Sequence, residues 1–186
     1  MDNLAIPPAA MRRSSLSGQE GGPTCRPIAG GGRFSLRLPP ASRQPAALAL
    51  GLDLEANINR AAVSGGRAAL RLGPDEWLLL LPEAEAPAAA LAGALPGGLY
   101  ALTEISHRQT AIVLEGGAAA DRLNAGCPLD LDLAAFPVGM ATRTLFFKAE
   151  IVLWRQSETC FHLEVWRSFA PYVWELLGVI GREYAS

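Results

Sequence analysis

Few side chains in this sequence stand at a spacing that supports chemistry. Ser106 and His107 set a hydroxyl beside an imidazole, the components of a nucleophile and its base. Consecutive residues of a strand point to opposite faces, so the two cannot readily share the hydrogen bond that such a pair needs. His107 is therefore expected to be a structural or interface residue. Asp130 and Asp132 are carboxylates two positions apart, a common spacing in solvated loops. Cys25, Cys127 and Cys160 are far apart and odd in number, and His107 and His162 are separated by 55 positions. No local cluster offers a zinc ion its nitrogen and sulfur ligands, and the thiols are expected to be buried or idle in a reducing compartment. Gly30, Gly31 and Gly32 form a glycine run without the spacing or the lysine of a phosphate-binding loop. Neither a G-x-G-x-x-G opening a helix nor a G-x-S-x-G elbow is present. The residues alone show no self-contained active site.

The elements that would position these groups read as one globular body behind a basic arm. Residues 1–45 hold seven prolines, six glycines, six arginines and two acids, a net charge of +4, while the remaining 141 residues carry −6. The stretch from Ser14 to Gly32 has almost no apolar periodicity, so residues 1–32 are expected as a flexible arm and residues 33–186 as a single domain. The whole chain is near neutral at −2, which argues against binding nucleic acid through its phosphates. Its 186 residues are enough for a core without disulfides or metal. Of its apolar half, 32 residues are alanine, and the longest uncharged run, Ala86 to Thr103, is broken by proline and glycine. That run is a poor membrane span, and the N-terminus lacks the pattern of a secretory signal, so a cytoplasmic location is expected.

From Arg33 the pattern becomes regular. Arg33 to Leu38 alternates as a half-buried strand, and Ser42 is placed to cap a helix running to Gly51, with Pro45 in its first turn. Ala68 to Leu72 and Trp77 to Leu81 read as strands around a turn at Gly73 to Glu76. The second of these is continuously apolar and should be covered on both faces. Pro87 starts a helix that Gly97 and Gly98 stop. Strand-like runs follow at Tyr100 to Ile105, Thr110 to Leu114, Thr142 to Phe147, Ile151 to Arg155 and Cys160 to Trp166, with a helix from Ala118 to Ala125 among them. In the Cys160 run, His162 lies on the face opposite Phe161 and Leu163. Ser168 is placed to cap a last helix, whose Phe169, Tyr172, Val173, Leu176 and Leu177 make one apolar face. The four tryptophans, Trp77, Trp154, Trp166 and Trp174, fall on these strands and this helix, where they suit core or interface packing. Leu52-Asp53-Leu54 matches Leu129-Asp130-Leu131 at an offset of 77. The halves 33–98 and 99–180 thus read as duplicated strand–helix–strand–strand–helix units, an α+β fold with mostly antiparallel sheets covered by helices.

Four blocks carry a family resemblance. They are Gly73 to Leu80, with Asp75, Glu76 and Trp77, then Ile105-Ser106-His107-Arg108, then Leu123 to Leu131, then Phe161 to Ser168 followed by the helix with Tyr172 and Trp174. In order and spacing they resemble the gamma subunit of heterotetrameric sarcosine oxidase, over roughly residues 33–180. The Ser-His block is similar also to the folate-binding domain of the glycine-cleavage aminomethyltransferase. The resemblance implies a small, non-catalytic subunit that supports assembly of an enzyme oxidising sarcosine to glycine. It implies no cofactor in this chain; FAD, FMN, NAD, tetrahydrofolate and zinc would belong to alpha, beta and delta subunits as partners. It marks Asp75, Glu76, Trp77, Ser106, His107, Arg108, Arg167, Ser168 and Trp174 as motif or interface positions. In the aminomethyltransferase a hairpin after this region carries an aspartate pair that serves the folate reaction. Aligned on Ile151 to Trp154, this sequence has Lys148 and Ala149 there, with Glu150 next. The resemblance therefore implies that the fold persists while that chemistry is lost. The alternative is a folate-binding or one-carbon-transfer protein acting on its own, which would need a central pocket with convergent polar groups.

Overall fold

A computed structural model describes residues 14–22, 24–28 and 30–184. It opens with a short strand, β1 (Cys25–Ile28). There follow β2 (Gly32–Arg37), α1 (Pro40–Leu50), β3 (Arg60–Ser64), β4 (Arg67–Arg71), β5 (Glu76–Leu81) and α2 (Pro87–Ala94). The second half repeats the order with β6 (Ala101–Glu104), β7 (Gln109–Glu115), α3 (Ala119–Asn124), β8 (Ala141–Phe146), β9 (Ala149–Ser157), β10 (Cys160–Trp166) and α4 (Ala170–Glu183). Two five-stranded sheets result, ordered β3-β4-β5-β2-β6 and β8-β9-β10-β7-β1, with every pair of neighbours antiparallel.

The two orders are the same pattern with one exchange. Each half begins with a short strand that joins the other half's sheet. β1 pairs with β7, matching Ile28 to Ala111, and β6 pairs with β2, matching Glu104 to Phe34. The halves are thereby interlocked.

This arrangement changes the reading of the N-terminal segment. Its described part is built into the fold: β1 is a sheet edge, Leu16 is buried in the core, and Gln19 accepts a hydrogen bond from the Trp174 indole at 3.0 Å. Partner strands supply what local periodicity did not, because β1 gains order by pairing with a formed β7. Residues 1–13, with Arg12 and Arg13, lie outside the described residues.

Alternation along the strands builds three apolar layers. Phe34, Leu36, Trp77, Leu79 and Leu81 face Ala46 and Leu50 of α1 and Leu91 of α2. Ile112, Leu114, Leu153, Phe161 and Leu163 face Leu123 of α3 and Val173 and Leu177 of α4. Between the sheets, Leu70 and Leu78 meet Val152 and Trp154. β5 is accordingly covered on both faces, as its unbroken run of apolar residues predicts. The sheets are also joined along one edge, where Ala61 donates to the Gly139 carbonyl at 2.8 Å and Ala141 to that of Asn59 at 3.0 Å.

Three local expectations are corrected. β3 was not expected; the Gly65-Gly66 turn, with φ of 55° and 78°, folds its alanine-rich run back onto β4 as a two-residue hairpin. Ser42 lies buried within α1, which begins at Pro40 behind Pro39, because a proline at the first helical position already supplies the dihedral a helix start requires. Pro45 then sits inside the helix. Ser168 is exposed and caps nothing; α4 begins at Ala170 with a proline in its first turn and no side-chain cap.

Two substitutions test this packing. Trp77, 1 % exposed, is held between the Arg43 and Arg71 guanidinium groups, at 5.6 and 5.3 Å from its ring centre. Trp77→Ala is expected to cost ~3–5 kcal/mol in urea unfolding. Leu16→Ala should cost about 2–5 kcal/mol. An unchanged urea midpoint for the Leu16 variant would show that the N-terminal segment contributes nothing to the core.

Candidate functional site

The polar centre of the molecule lies where the exchanged strands cross. Gly30 and Gly31 connect β1 to β2 with φ of 74° and 84°, a left-handed path that residues with a side chain rarely take. Their carbonyls accept from Arg33 Nη1 at 2.8 and 3.1 Å. Arg33 Nε donates to both oxygens of Glu164 on β10, at 3.0 and 2.8 Å, and His162 Nε2 is 2.9 Å from Glu164 Oε1. Glu164 is 1 % exposed. Burial by itself raises its carboxyl pKa, but the hydrogen bond from His162 and the charge of Arg33 outweigh that and hold it below the ordinary 4.5. The face of β10 opposite Phe161 and Leu163 is thus the layer between the sheets.

Ser106 belongs to the same crossing. Its hydroxyl accepts from the Arg33 backbone N–H at 3.0 Å and donates to Glu104 Oε1 at 2.9 Å, while the Ile105 N–H donates to the Arg33 carbonyl at 2.8 Å. A hydroxyl so engaged fastens β6 to β2 and is poorly placed as a nucleophile. His107 and Arg108, next along the turn, are exposed.

Beyond the crossing the sheets part around two adjoining spaces. One is a cavity of about 460 Å³ between the inner faces, with Leu78, Ile105 and Val152 in its walls and Glu76, Arg143 and Glu150 among its charged groups. Glu76 takes hydrogen bonds from Arg143 of the facing sheet, one at 3.0 Å, and pairs with Arg37 at 3.2 Å. The bonds from Arg143 hold its carboxyl below the usual range against the opposing effect of burial. The other is a more open groove of about 690 Å³, with His107, Arg108, Arg167 and Ser168 at its sides. Arg108 and Trp166 border both, with the guanidinium 5.2 Å from the indole centre.

The motif positions therefore divide. His107, Arg108, Arg167 and Ser168 converge on the groove, and Ser106 lies behind them. Glu76 and Trp77 border the cavity; Asp75 sits on the exposed turn beside it, accepting from Arg37 at 3.2 Å. Trp174 is elsewhere, on α4 against Gln19. Buried Trp77 and Ser106 are unsuited to a surface contact. Sequence reasoning missed Arg33, Glu164 and Gln109. The available signal was a charged or amide side chain on the inward face of an otherwise apolar strand, which demands a buried partner.

Ala149, at the hairpin position where the resemblance to the aminomethyltransferase implies an aspartate, is fully buried against the α3 and α4 side. Glu150 points to the other face and borders the cavity. The Cys25 thiol is pushed up to about 11 by burial, with Arg122 opposing, so little of it is thiolate. Among the described residues no group of three or more His, Cys, Asp or Glu is arranged to hold a metal ion, and no helix is long and apolar enough to cross a membrane.

This architecture, two antiparallel sheets face to face with helices outside, is shared with aminomethyltransferase T of the glycine cleavage system from Bartonella henselae. The TM-score is 0.59 at 16% identity, over 82% of this chain and 44% of that one, a likeness of fold. A much closer match, TM-score 0.85 at 29% identity, is a chain of the heterotetrameric sarcosine oxidase from Corynebacterium sp. U-96, solved in complex with pyrrole 2-carboxylate. It covers 94% of this chain and 97% of that one. The model of the sarcosine oxidase, gamma subunit family matches residues 39–182. The sarcosine oxidase subunit gamma of Arthrobacter sp is 34% identical over 157 residues, covering 83% of this chain and 76% of the relative. That of Corynebacterium sp. strain U-96 is 35% identical over 167 residues, covering 88% and 81%. The chain belongs to the sarcosine oxidase gamma subunit family.

The central ion pair gives a pH-dependent expectation. Because the native pKa of Glu164 lies below its unfolded value, its contribution is complete above about pH 4.5 and is lost as pH falls through the native value. Glu164→Gln leaves a buried guanidinium without its counter-charge, at a cost of about 3–5 kcal/mol near neutrality. Urea unfolding between about pH 6 and about pH 3 should show the two proteins converging toward the acid end. A gap that stays constant would place the carboxylate in a weaker role.

Proposed function

We propose that this chain is the gamma subunit of a heterotetrameric enzyme that oxidises sarcosine to glycine, and that its own part is to support assembly. One observation carries the reading: the likeness to a chain of the heterotetrameric sarcosine oxidase extends over 94% of this chain and 97% of the other at a TM-score of 0.85. Alpha, beta and delta subunits would be its partners in the cytoplasm. The flavins FAD and FMN, NAD, tetrahydrofolate and zinc would be held by those partners.

The chemistry of the motif positions supports a non-catalytic role. Ser106 spends its hydroxyl on a strand crossing, and Ala149 offers no carboxylate. The candidates for contact with a larger subunit are His107, Arg167 and Ser168, exposed beside Phe169 and Tyr172, which are 41 and 37 % exposed. Adjacent exposed aromatic and cationic groups are typical of surfaces that a partner covers.

Co-expression with the alpha, beta and delta subunits tests the reading. The chain should co-elute with them in size exclusion, and its omission should lower the yield of assembled oxidase. A chain that elutes alone while the other three assemble would overturn it.

A further inference from the structure

The outer face of α4 has features that the assembly reading does not use. Its buried positions, Ala170, Val173, Leu177 and Ile180, recur at three- and four-residue steps and meet the core. A second apolar stripe with the same spacing faces solvent: Tyr172 is 37 % exposed, Leu176 is half-buried and Val179 is 49 % exposed. At about 100° per residue, Glu175 and Arg182 lie together on one flank of that stripe, about two turns apart. Both are exposed, and neither forms an ion pair with any of the described residues. Glu183 lies on the opposite flank, beside Leu176. Gly178 stands on the same flank as the two opposite charges, between them in sequence. Glycine weakens a helix interior, and nothing within the chain requires it here, because a Cβ would meet open space.

This flank is complementary to itself. Glu175 and Arg182 are about 10 Å apart along one helix, too far to pair with each other. Two helices laid antiparallel about a two-fold axis bring the same flank of each together, and positions equidistant from the axis face one another. With the axis between Gly178 and Val179, Glu175 of each copy faces Arg182 of the other, so that both charges are paired twice over. The two Val179 side chains then adjoin at the axis with Tyr172 toward the ends, and the missing side chain at Gly178 lets the backbones approach.

We infer that the free chain associates with a second copy of itself through α4, the two helices antiparallel. One helix face is smaller than a standard interface, so the dimer is weak, with Kd of about 0.1 mM. Tyr172 also belongs to the contact proposed for a larger subunit, so the dimer is a state of the chain before assembly. It is measured on this chain alone, and its failure leaves the assembly reading as it stands.

Sedimentation equilibrium of the full chain, from about 10 µM to about 500 µM, tests the inference. The average mass is expected to rise with concentration from 19.6 kDa toward twice that value. Glu175→Arg and Arg182→Glu should each weaken association about tenfold, because each replaces two ion pairs by two like-charge contacts. The double variant restores both pairs in reversed order and should return Kd to within about threefold of the original. Val179→Asp, also at an exposed position, should hold the mass at that of one chain. Thermal melts at about 10 µM, where one copy predominates, should coincide for all four variants and the original. The inference is overturned if the mass stays at 19.6 kDa throughout, if either single reversal associates as the original does, or if the double variant is as weak as the singles. Association that survives Val179→Asp would place the contact on another surface and overturn it as well.

Discussion

The ion pair between Arg33 and Glu164 is the interaction on which the arrangement of the two sheets depends. It joins residues 131 positions apart, one from each sheet. Burying both charges is expensive in isolation. Here each finds several partners: the guanidinium also bonds two glycine carbonyls, and the carboxylate also meets His162. The desolvation is offset only when β1, β2 and β10 are all in place, because those strands and the glycine link supply the partners. Such a pair adds little to stability compared with an apolar core, but it selects one way of setting the sheets together. A slip of β2 by one residue would leave an unpaired guanidinium in an apolar layer.

The exchange of first strands has the same consequence on a larger scale. A tandem duplication with separate sheets would permit each half to fold by itself. Here β6 completes the first sheet and β1 completes the second, so neither half closes its sheet without the other. The crossing needs tight, well-anchored links. One link meets the need with glycines at positive φ, the other with Ser106, whose hydroxyl ties it to Arg33. Two links of unlike sequence occupy related places, which is why the glycine run and the Ser-His block show no resemblance as sequences. The hydroxyl of Ser106, which first suggests a nucleophile, is thereby explained as a fastening.

What the sequence makes legible is whatever can be decided locally. The apolar stripe of α4, the uninterrupted β5 and the alternation of β2 each follow from a periodicity that burial imposes on one element. β1 is illegible for the complementary reason. Four residues containing Arg26 and Pro27 have no intrinsic strand signal, and their order comes from β7 and from Leu16 anchored beside it. β3 is hidden because its two alanines carry little strand preference and its side chains are half-buried or exposed, so no alternation marks it. Ser42 and Ser168 show the limit of capping rules where a proline at the helix start supersedes a side-chain cap. The central charges were visible as residues but not as a pair, since nothing in a single sequence links position 33 to position 164. The blocks shared with the gamma subunit family were readable as sequence, whereas the cavity is produced by two sheets diverging beyond a crossing and has no linear signature.

The hairpin between β8 and β9 shows how packing limits what chemistry a position can carry. The resemblance to the aminomethyltransferase sets an aspartate where Ala149 stands. In this chain Ala149 is packed without exposure among apolar side chains of the α3 and α4 layer. An aspartate there would bury a carboxylate among apolar side chains, so Ala149→Asp would damage the core. Glu150, next along the strand, faces the cavity side, and the strand's two-residue repeat forbids the two positions from trading roles without a change of register. Packing on one face and charge on the other therefore hold the hairpin in its register. The fold needs no carboxylate at this position, because its stability resides in the layers and the crossing.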